Sequence, residues 1–255
     1  MKTFINNQRL AHLAGVNFDS ETIKPGPIVY SRTHLVCEQF PALAQMGSCV
    51  LITSFSDACC TDEMAAGLPQ NVRRWFSNNV TAHDERVVTV PLGLRTSPEG
   101  EMMLRAAMDR GRLPERNLVY MNFWRDIRNG RNPRKGIYEK FMAQKWVTAE
   151  GGHEHVPMVQ FYEQIASHPF VLSPPGAGPD CHRHWESMLL GAIPVVLRSN
   201  ATRILDDLPC LQVDTWDEVT EDRLQSEIPL LYPRFSSPAM DKCWFAPWQK
   251  MILEA

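Results

Sequence analysis

Residues 170–200 read FVLSPPGAGPDCHRHWESMLLGAIPVVLRSN, and this stretch decides the fold. FVLS is a short buried strand, PPGAGPD a breaker-rich loop, and residues from about His182 to Leu190 have helical spacing. Gly191 and Pro194 then close that helix and start a second strand, PVVL at 194–197. A strand, glycine loop, helix and parallel strand make one βα unit. Gly176 and Gly178 lack a Cβ, so the backbone there can turn sharply and approach a diphosphate. The following helix aims free N–H groups and partial positive charge at the same place. His182 and Arg183 are unfavourable in a first helical turn unless an anion accepts them. Glu186, four residues after His182 on the same face, is placed to take both hydroxyls of a ribose.

The pattern repeats outward. Upstream strands are expected at 27–31 (PIVYS), 49–53 (CVLIT), 72–76 and 87–90 (VVTV), with a helix over Thr33–Gln45. A further helix is expected between breakers over Thr96–Glu115, and the pattern restarts with a strand at 118–122 (LVYMN). Helices over 133–144, 157–167 and 217–227 and a strand at 211–213 follow. Buried strands alternating with helices imply mostly parallel sheets covered on both faces. The expected fold class is α/β, with a 1–114 domain and a 115–255 domain, two facing Rossmann-like units. The tail from Pro238, with Trp244, Phe245, Trp248, Met251, Ile252 and Leu253, must pack on its own domain or back on the first.

At this point SPPGAGPDCHRHWE followed by LLGAIPVV resembles the exostosin-like glycosyltransferases, and more broadly the C-terminal donor domain of GT-B enzymes. The resemblance implies that Glu186 binds the nucleotide ribose and that Gly176 and Gly178 meet the diphosphate. VYMNFWRDIRNGRNPRKGIYEKF looks like the first βα unit of the same domain, where a basic residue after the strand faces the phosphates. Arg125 fits that place, with Arg131, Arg134 and Lys135 as neighbours. Asn122, Ser173, Asp180, His182 and Arg183 complete the expected donor set. Animal exostosins are longer and membrane-anchored, so the compact viral or bacterial type is the better likeness, and the animal substrate is not carried over.

The expectation is therefore a transferase moving a sugar from a UDP- or GDP-sugar to a hydroxyl acceptor, inverting and metal-independent. Arg183 and Arg125 would stabilise the leaving diphosphate. No cofactor is expected beyond this co-substrate, and no metal: Asp206-Asp207 is not an Asp-x-Asp motif, and GGHEH (His153, His155) reads as a solvated glycine loop. Asp57, just past the CVLIT strand, is the first candidate base; the His83–Asp84–Glu85 cluster is the second, and Asn79 is placed to position an acceptor. Trp185 and Cys181 read as packing residues. The rival readings are a non-catalytic nucleotide or sugar-phosphate binding module and a phosphate-binding hydrolase or epimerase.

Composition narrows partners. The net charge of −3, from 26 basic and 29 acidic side chains, leaves no footprint for wrapping nucleic acid, so a nucleic-acid acceptor is open but not favoured. Seven scattered cysteines lack a disulfide framework, and MKTFINNQRLAHLAG has no signal-peptide core. No run is long and apolar enough to span a bilayer, and a cytoplasmic protein is expected.

Overall fold

A computed structural model describes residues 2–17, 28–125, 134–152 and 155–255. Arg131 and His153, named above, and Pro27, Arg128 and Pro133, which fall within the stretches quoted above, lie outside the described residues. Among the described residues, ten strands form two five-stranded parallel sheets. The first holds β1 (Val16–Asn17), β2 (Ile28–Arg32), β3 (Cys49–Ser54), β4 (Val72–Ser77) and β5 (Val87–Thr89), side by side in chain order. The second holds β6 (Val119–Trp124), β7 (Val147–Gly152), β8 (Phe170–Leu172), β9 (Ile193–Leu197) and β10 (Leu211–Val213), in the order β10-β9-β8-β6-β7. The class is α/β with two parallel sheets, the GT-B-like architecture.

The helices are α1 (Asn7–Ala11), α2 (Val36–Ala44), α3 (Asp62–Ala66), α4 (Pro98–Arg110), α5 (Arg134–Met142), α6 (Met158–Ala166), α7 (His182–Leu189), α8 (Glu221–Leu231) and α9 (Phe245–Glu254). Their ends follow local chemistry. Ser97 caps α4, accepting from Gly100 N at 3.1 Å, and Pro98 sits in its first turn. Gly111, at φ +72°, stops it short of the expected Glu115. Thr220 caps α8, so the helix begins at Glu221 after a separate 3-10 turn at Trp216–Glu218, later than expected.

Alternation along the buried strands assigns the two faces of each sheet. In the first sheet Val29, Leu51 and Trp75 pack with Val36 and Leu43 of α2. The opposite side, with Tyr30, Ile52 and Phe76, joins a core shared with Tyr120, Val171, Trp185 and Trp248. In the second sheet Met121, Leu172 and Val195 pack with Phe141 of α5 and Leu224 of α8. One apolar core thus runs between the sheets. The tail closes it: Ile5 N donates to Cys243 O at 3.2 Å, Phe245 N to Thr3 O at 2.7 Å, and Phe4 stacks on Trp244.

One expected loop is strand. Gly151 and Gly152 of GGHEH end β7, paired with Phe123 and Trp124, at φ +78° and +79°. VTAEGG lacks an apolar run, so its strand character comes from pairing with β6 rather than from its own side chains.

Candidate active site

The order of the second sheet reverses at β6. From β6 the chain goes to β7 on one side and then to β8 on the other. Open parallel sheets hold ligands at the carboxyl ends of the strands flanking such a reversal. Here those ends are Asn122–Trp124 and Ser173, and α7 begins beside them.

Arg183 ties the two ends together. Its Nη1 donates to Asn122 O at 3.3 Å, its Nε to Ser173 Oγ at 3.1 Å and its Nη2 to Pro174 O at 3.1 Å. Burial pulls its pKa down to about 10, and the positive charges of Arg134 and Arg95 push the same way. Arg134, also lowered by burial, donates to Pro175 O at 2.8 Å, and both guanidiniums lie over the Phe123 ring. Like charges kept this close in a desolvated place favour an anionic partner.

Two cavities open beside this cluster. One, of about 380 Å³, runs between the loop after β8 (Gly176, Ala177, Gly178, Asp180, Cys181, His182) and the first half (Asn7, Phe55, Ser56, Asp57, Leu92). The other, of about 140 Å³, is lined by Asn122, Phe123, Trp124, His155, Val156, Met158 and Phe161. Arg95, Arg134 and Arg183 border both.

Residues Arg183 to Met188 of α7 are all buried, and Arg183, His184 and Glu186 among them are ionisable. Glu186 is 1% exposed. Its Oε1 is paired with Arg95 Nε at 3.3 Å and accepts from Tyr162 Oη at 3.3 Å, whereas Oε2 has no hydrogen-bond partner among the described residues. A half-satisfied buried carboxylate is costly, and a site for a hydroxyl donor is a physical reason to keep one.

Compared as a sequence, the chain matches no protein-family model and no curated protein. Among solved structures it is similar to a UDP-forming α,α-trehalose-phosphate synthase from Burkholderia xenovorans. The TM-score is 0.51 and the identity 11%, over 92% of this chain and 74% of that one. What the two share is the fold.

Within this GT-B-like frame the sequence-derived residues fall into two groups. Asp57, Gly176, Gly178, Asp180, His182 and Arg183 meet at the larger cavity, and Asn122 lines the smaller one. Asp57 is exposed, and its carboxylate makes no hydrogen bond or ion pair among the described residues. The nearby turn is capped by Ser56 Oγ, which accepts from Ala58 N at 3.1 Å, and α3 by Thr61. Asp84 is held by Arg86, and His83 by Asp62 and Asn200, as parts of a solvated turn.

Other residues are engaged differently from the expectation. Arg125 borders neither cavity; its guanidinium stacks 4.7 Å over Tyr138, in space that Gly152 leaves open. Arg134, expected as its neighbour, and Arg95 line both cavities. Gly178 is glycine for a protein contact: a Cβ there would come within 2.7 Å of Asn79 Nδ2. The Gly176 N–H closes on Gly178 O at 2.9 Å. Asp180 takes Leu92 N at 2.8 Å and Trp185 Nε1 at 2.9 Å, and its own N–H donates to Asn79 Oδ1, pinning the loop to the first half. His182 Nδ1 donates to Gly93 O at 2.7 Å, which accounts for an imidazole at a helix start without an anion. Ser173 is fully buried as an acceptor for Arg183. Trp185 is core, and burial pushes the Cys181 thiol up, as suits a packing residue.

Sequence reasoning missed Arg95 and Tyr162. Arg95 had one available signal: PLGLR follows the carboxyl end of β5, where open sheets present ligand groups. Tyr162 had none, because α6 is otherwise an ordinary amphipathic helix. Among the described residues no group of three or more His, Cys, Asp or Glu could hold a metal ion, and no helix is long and apolar enough to cross a membrane.

Proposed function

We propose that this chain is a glycosyltransferase that moves a sugar from a nucleoside-diphosphate sugar to an acceptor hydroxyl. The observation that carries the reading is Glu186. It is a buried carboxylate with one oxygen unpartnered, one turn of α7 beyond a desolvated arginine at the reversal of a parallel sheet. In this reading residues 115–255 hold the donor and residues 1–114 present the acceptor.

Glu186 takes the ribose diol. Arg183, Arg134 and Arg95 face the diphosphate and stabilise the charge that grows on it as the glycosidic bond breaks. Preorganised cations in a dry cleft do this without reorganisation, in place of a metal ion. Asn122 and Ser173 hold Arg183 in place, and Gly176, Gly178, Asp180 and His182 fix the loop against the first half. Asp57, unpaired and facing the same cavity, takes the proton from the attacking hydroxyl in an inverting displacement. Compact exostosin-like transferases are the class this set resembles. The seven cysteines are free thiols, which suits a reducing compartment such as the cytoplasm.

The test is calorimetry with UDP and GDP on the wild type and on Glu186→Gln, followed by release of free diphosphate from a panel of nucleotide sugars. The reading expects a diphosphate to bind, Glu186→Gln to weaken it about tenfold or more, and at least one sugar nucleotide to turn over. One observation favours a non-catalytic nucleotide-binding module instead: Gly176 N–H and His182 Nδ1 are engaged internally, leaving the loop few free donors. Glu186-dependent binding with no turnover for any sugar nucleotide and acceptor would decide for the module.

A further inference from the structure

Arg95 sits where three separate demands meet. It comes from the loop after β5 in the first half, yet its Nε lies 3.3 Å from Glu186 Oε1 on α7 of the second. Its Cζ lies 5.9 Å over the Phe161 ring of α6. It borders both cavities of the site and a third, of about 560 Å³, on the side of α1 and α4.

The other two arginines of the cluster differ from it in freedom. Arg183 and Arg134 are buried and direct their donors at backbone carbonyls of the donor loop and the end of β6. Arg95 is 45% exposed in its side chain, and no described contact engages its Nη atoms. It is the least enclosed of the three by geometry: half in solvent and held, among the described residues, by the ion pair to Glu186 and the Phe161 ring.

That ion pair is also what a diol must replace. A carboxylate this buried needs compensating charge or hydrogen bonds. Without ligand, Arg95 and Tyr162 serve Oε1, and Oε2 is left without a donor. Two hydroxyls from a ribose would supply both oxygens at once and release the guanidinium.

We propose that Arg95 is a latch that reads the two ends of the donor together. It covers Glu186 when the site is empty. When the ribose diol of a nucleoside diphosphate takes that carboxylate, Arg95 turns to the diphosphate beside Arg134 and Arg183. This rests on the ribose role given to Glu186 above. A nucleoside alone must displace the latch without giving it a new partner. A nucleoside diphosphate displaces the latch and receives it. The two parts of the ligand therefore bind better joined than the sum of their separate contacts.

Calorimetry of uridine, UDP, guanosine and GDP against wild type, Arg95→Ala and Arg95→Lys tests this, with thermal unfolding of each variant as the check on folding. In Arg95→Ala, diphosphate affinity falls about tenfold, the weight of one charge-assisted hydrogen bond at a half-exposed site, while nucleoside affinity holds or rises. Arg95→Lys, which keeps the charge but not the planar fork, falls between. The advantage of diphosphate over nucleoside thus shrinks. Equal loss for nucleoside and diphosphate, as a merely structural support for Glu186 would give, overturns the latch. So does no change in either. If UDP and GDP bind the wild type but Glu186→Gln leaves them unaffected, the ribose reading fails, and the latch falls with it for that separate reason.

Discussion

Replacing Arg183 with methionine separates a ligand-binding arginine from a strut of the fold. The side chain is 9% exposed and donates to Ser173 Oγ, Asn122 O and Pro174 O. Burial is the main cause that draws its pKa down from the ordinary guanidinium value to about 10, so the folded site disfavours the charged form by about 3 kcal/mol. Methionine fills a similar volume and removes that penalty. It also removes three donors, but the consequences differ. Pro174 O keeps Arg134 Nη2 at 3.5 Å, and the Ser173 hydroxyl can rotate to a new partner. Asn122 O is the acceptor that goes without, at about 1–3 kcal/mol. The opposing effects leave the ligand-free protein within about 2 kcal/mol of wild type.

Ligand binding has no such offset. Among the described residues each Nη of Arg183 donates to one acceptor and keeps a second N–H, and a bond from one of these to a phosphate oxygen in this desolvated place is worth about 1.5–3 kcal/mol. Diphosphate affinity should therefore fall about ten- to a hundredfold in Arg183→Met. Thermal or denaturant unfolding without ligand gives the first quantity, and calorimetry with UDP and GDP gives the second. A variant destabilised by more than about 4 kcal/mol that still binds diphosphate normally would refute the reasoning, because Arg183 would then be a strut alone.

Three further outcomes follow from the geometry. Asp57→Asn should lower kcat by about a hundredfold or more and leave UDP or GDP affinity unchanged in calorimetry, since the proposed proton acceptor lies on the acceptor side. Gly93→Ala should destabilise the chain by several degrees or more in a thermal melt: at φ +66° its Cβ would sit 2.2 Å from Ile5 O. His168 is fully buried, with Nδ1 donating to Gln164 O and Nε2 accepting from Thr148 Oγ1, and burial holds its pKa below the usual 6.5. The unfolded chain then takes up a proton that the folded one refuses. Stability is full above about pH 6.5 and falls as pH drops from there toward the folded value, at up to about 1.4 kcal/mol per pH unit. His168→Phe should flatten the dependence of melting temperature on pH between about 7 and 5.5, the range around the free imidazole value.

Legibility in the sequence followed the range of the interactions. Strands with their own apolar runs, such as CVLIT at β3 and FVLS at β8, were readable because both faces are buried. VTAEGG at β7 was not, since neighbour pairing makes it a strand. That Arg183 and Glu186 share one helix is legible because helical spacing is local. Arg95 and Tyr162, which complete the surroundings of Glu186, arrive from distant segments, and no local pattern announces such a meeting. The glycines mark places of close approach, but the approaching group is Asn79 at Gly178, a partner that only the folded chain supplies. Arg125 sat where strand-end logic put it, yet the ring of Tyr138 offered it a seat away from the cavities.

The same long-range contacts bear on how a ligand enters. Facing α/β halves joined only by a linker would open and close as rigid bodies. Here the seam is a continuous apolar core, from Tyr30, Ile52 and Phe76 to Tyr120, Val171 and Trp185. It is laced by Leu92 N to Asp180, Asp180 N to Asn79 and His182 to Gly93 O. The chain ends pair across it as well, through Ile5 with Cys243 and Phe245 with Thr3. A wide hinge motion would expose that core and strand buried polar groups, a cost no single ligand contact offsets. Access therefore falls to the parts of the rim that carry few such bonds: the Phe55–Asp57 loop, where Phe55 is exposed at φ +51°, and the half-exposed Arg95. Under the proposed function, donor binding would then move side chains and one loop over a rigid floor, with Arg183 held in that floor by Asn122, Ser173 and Pro174.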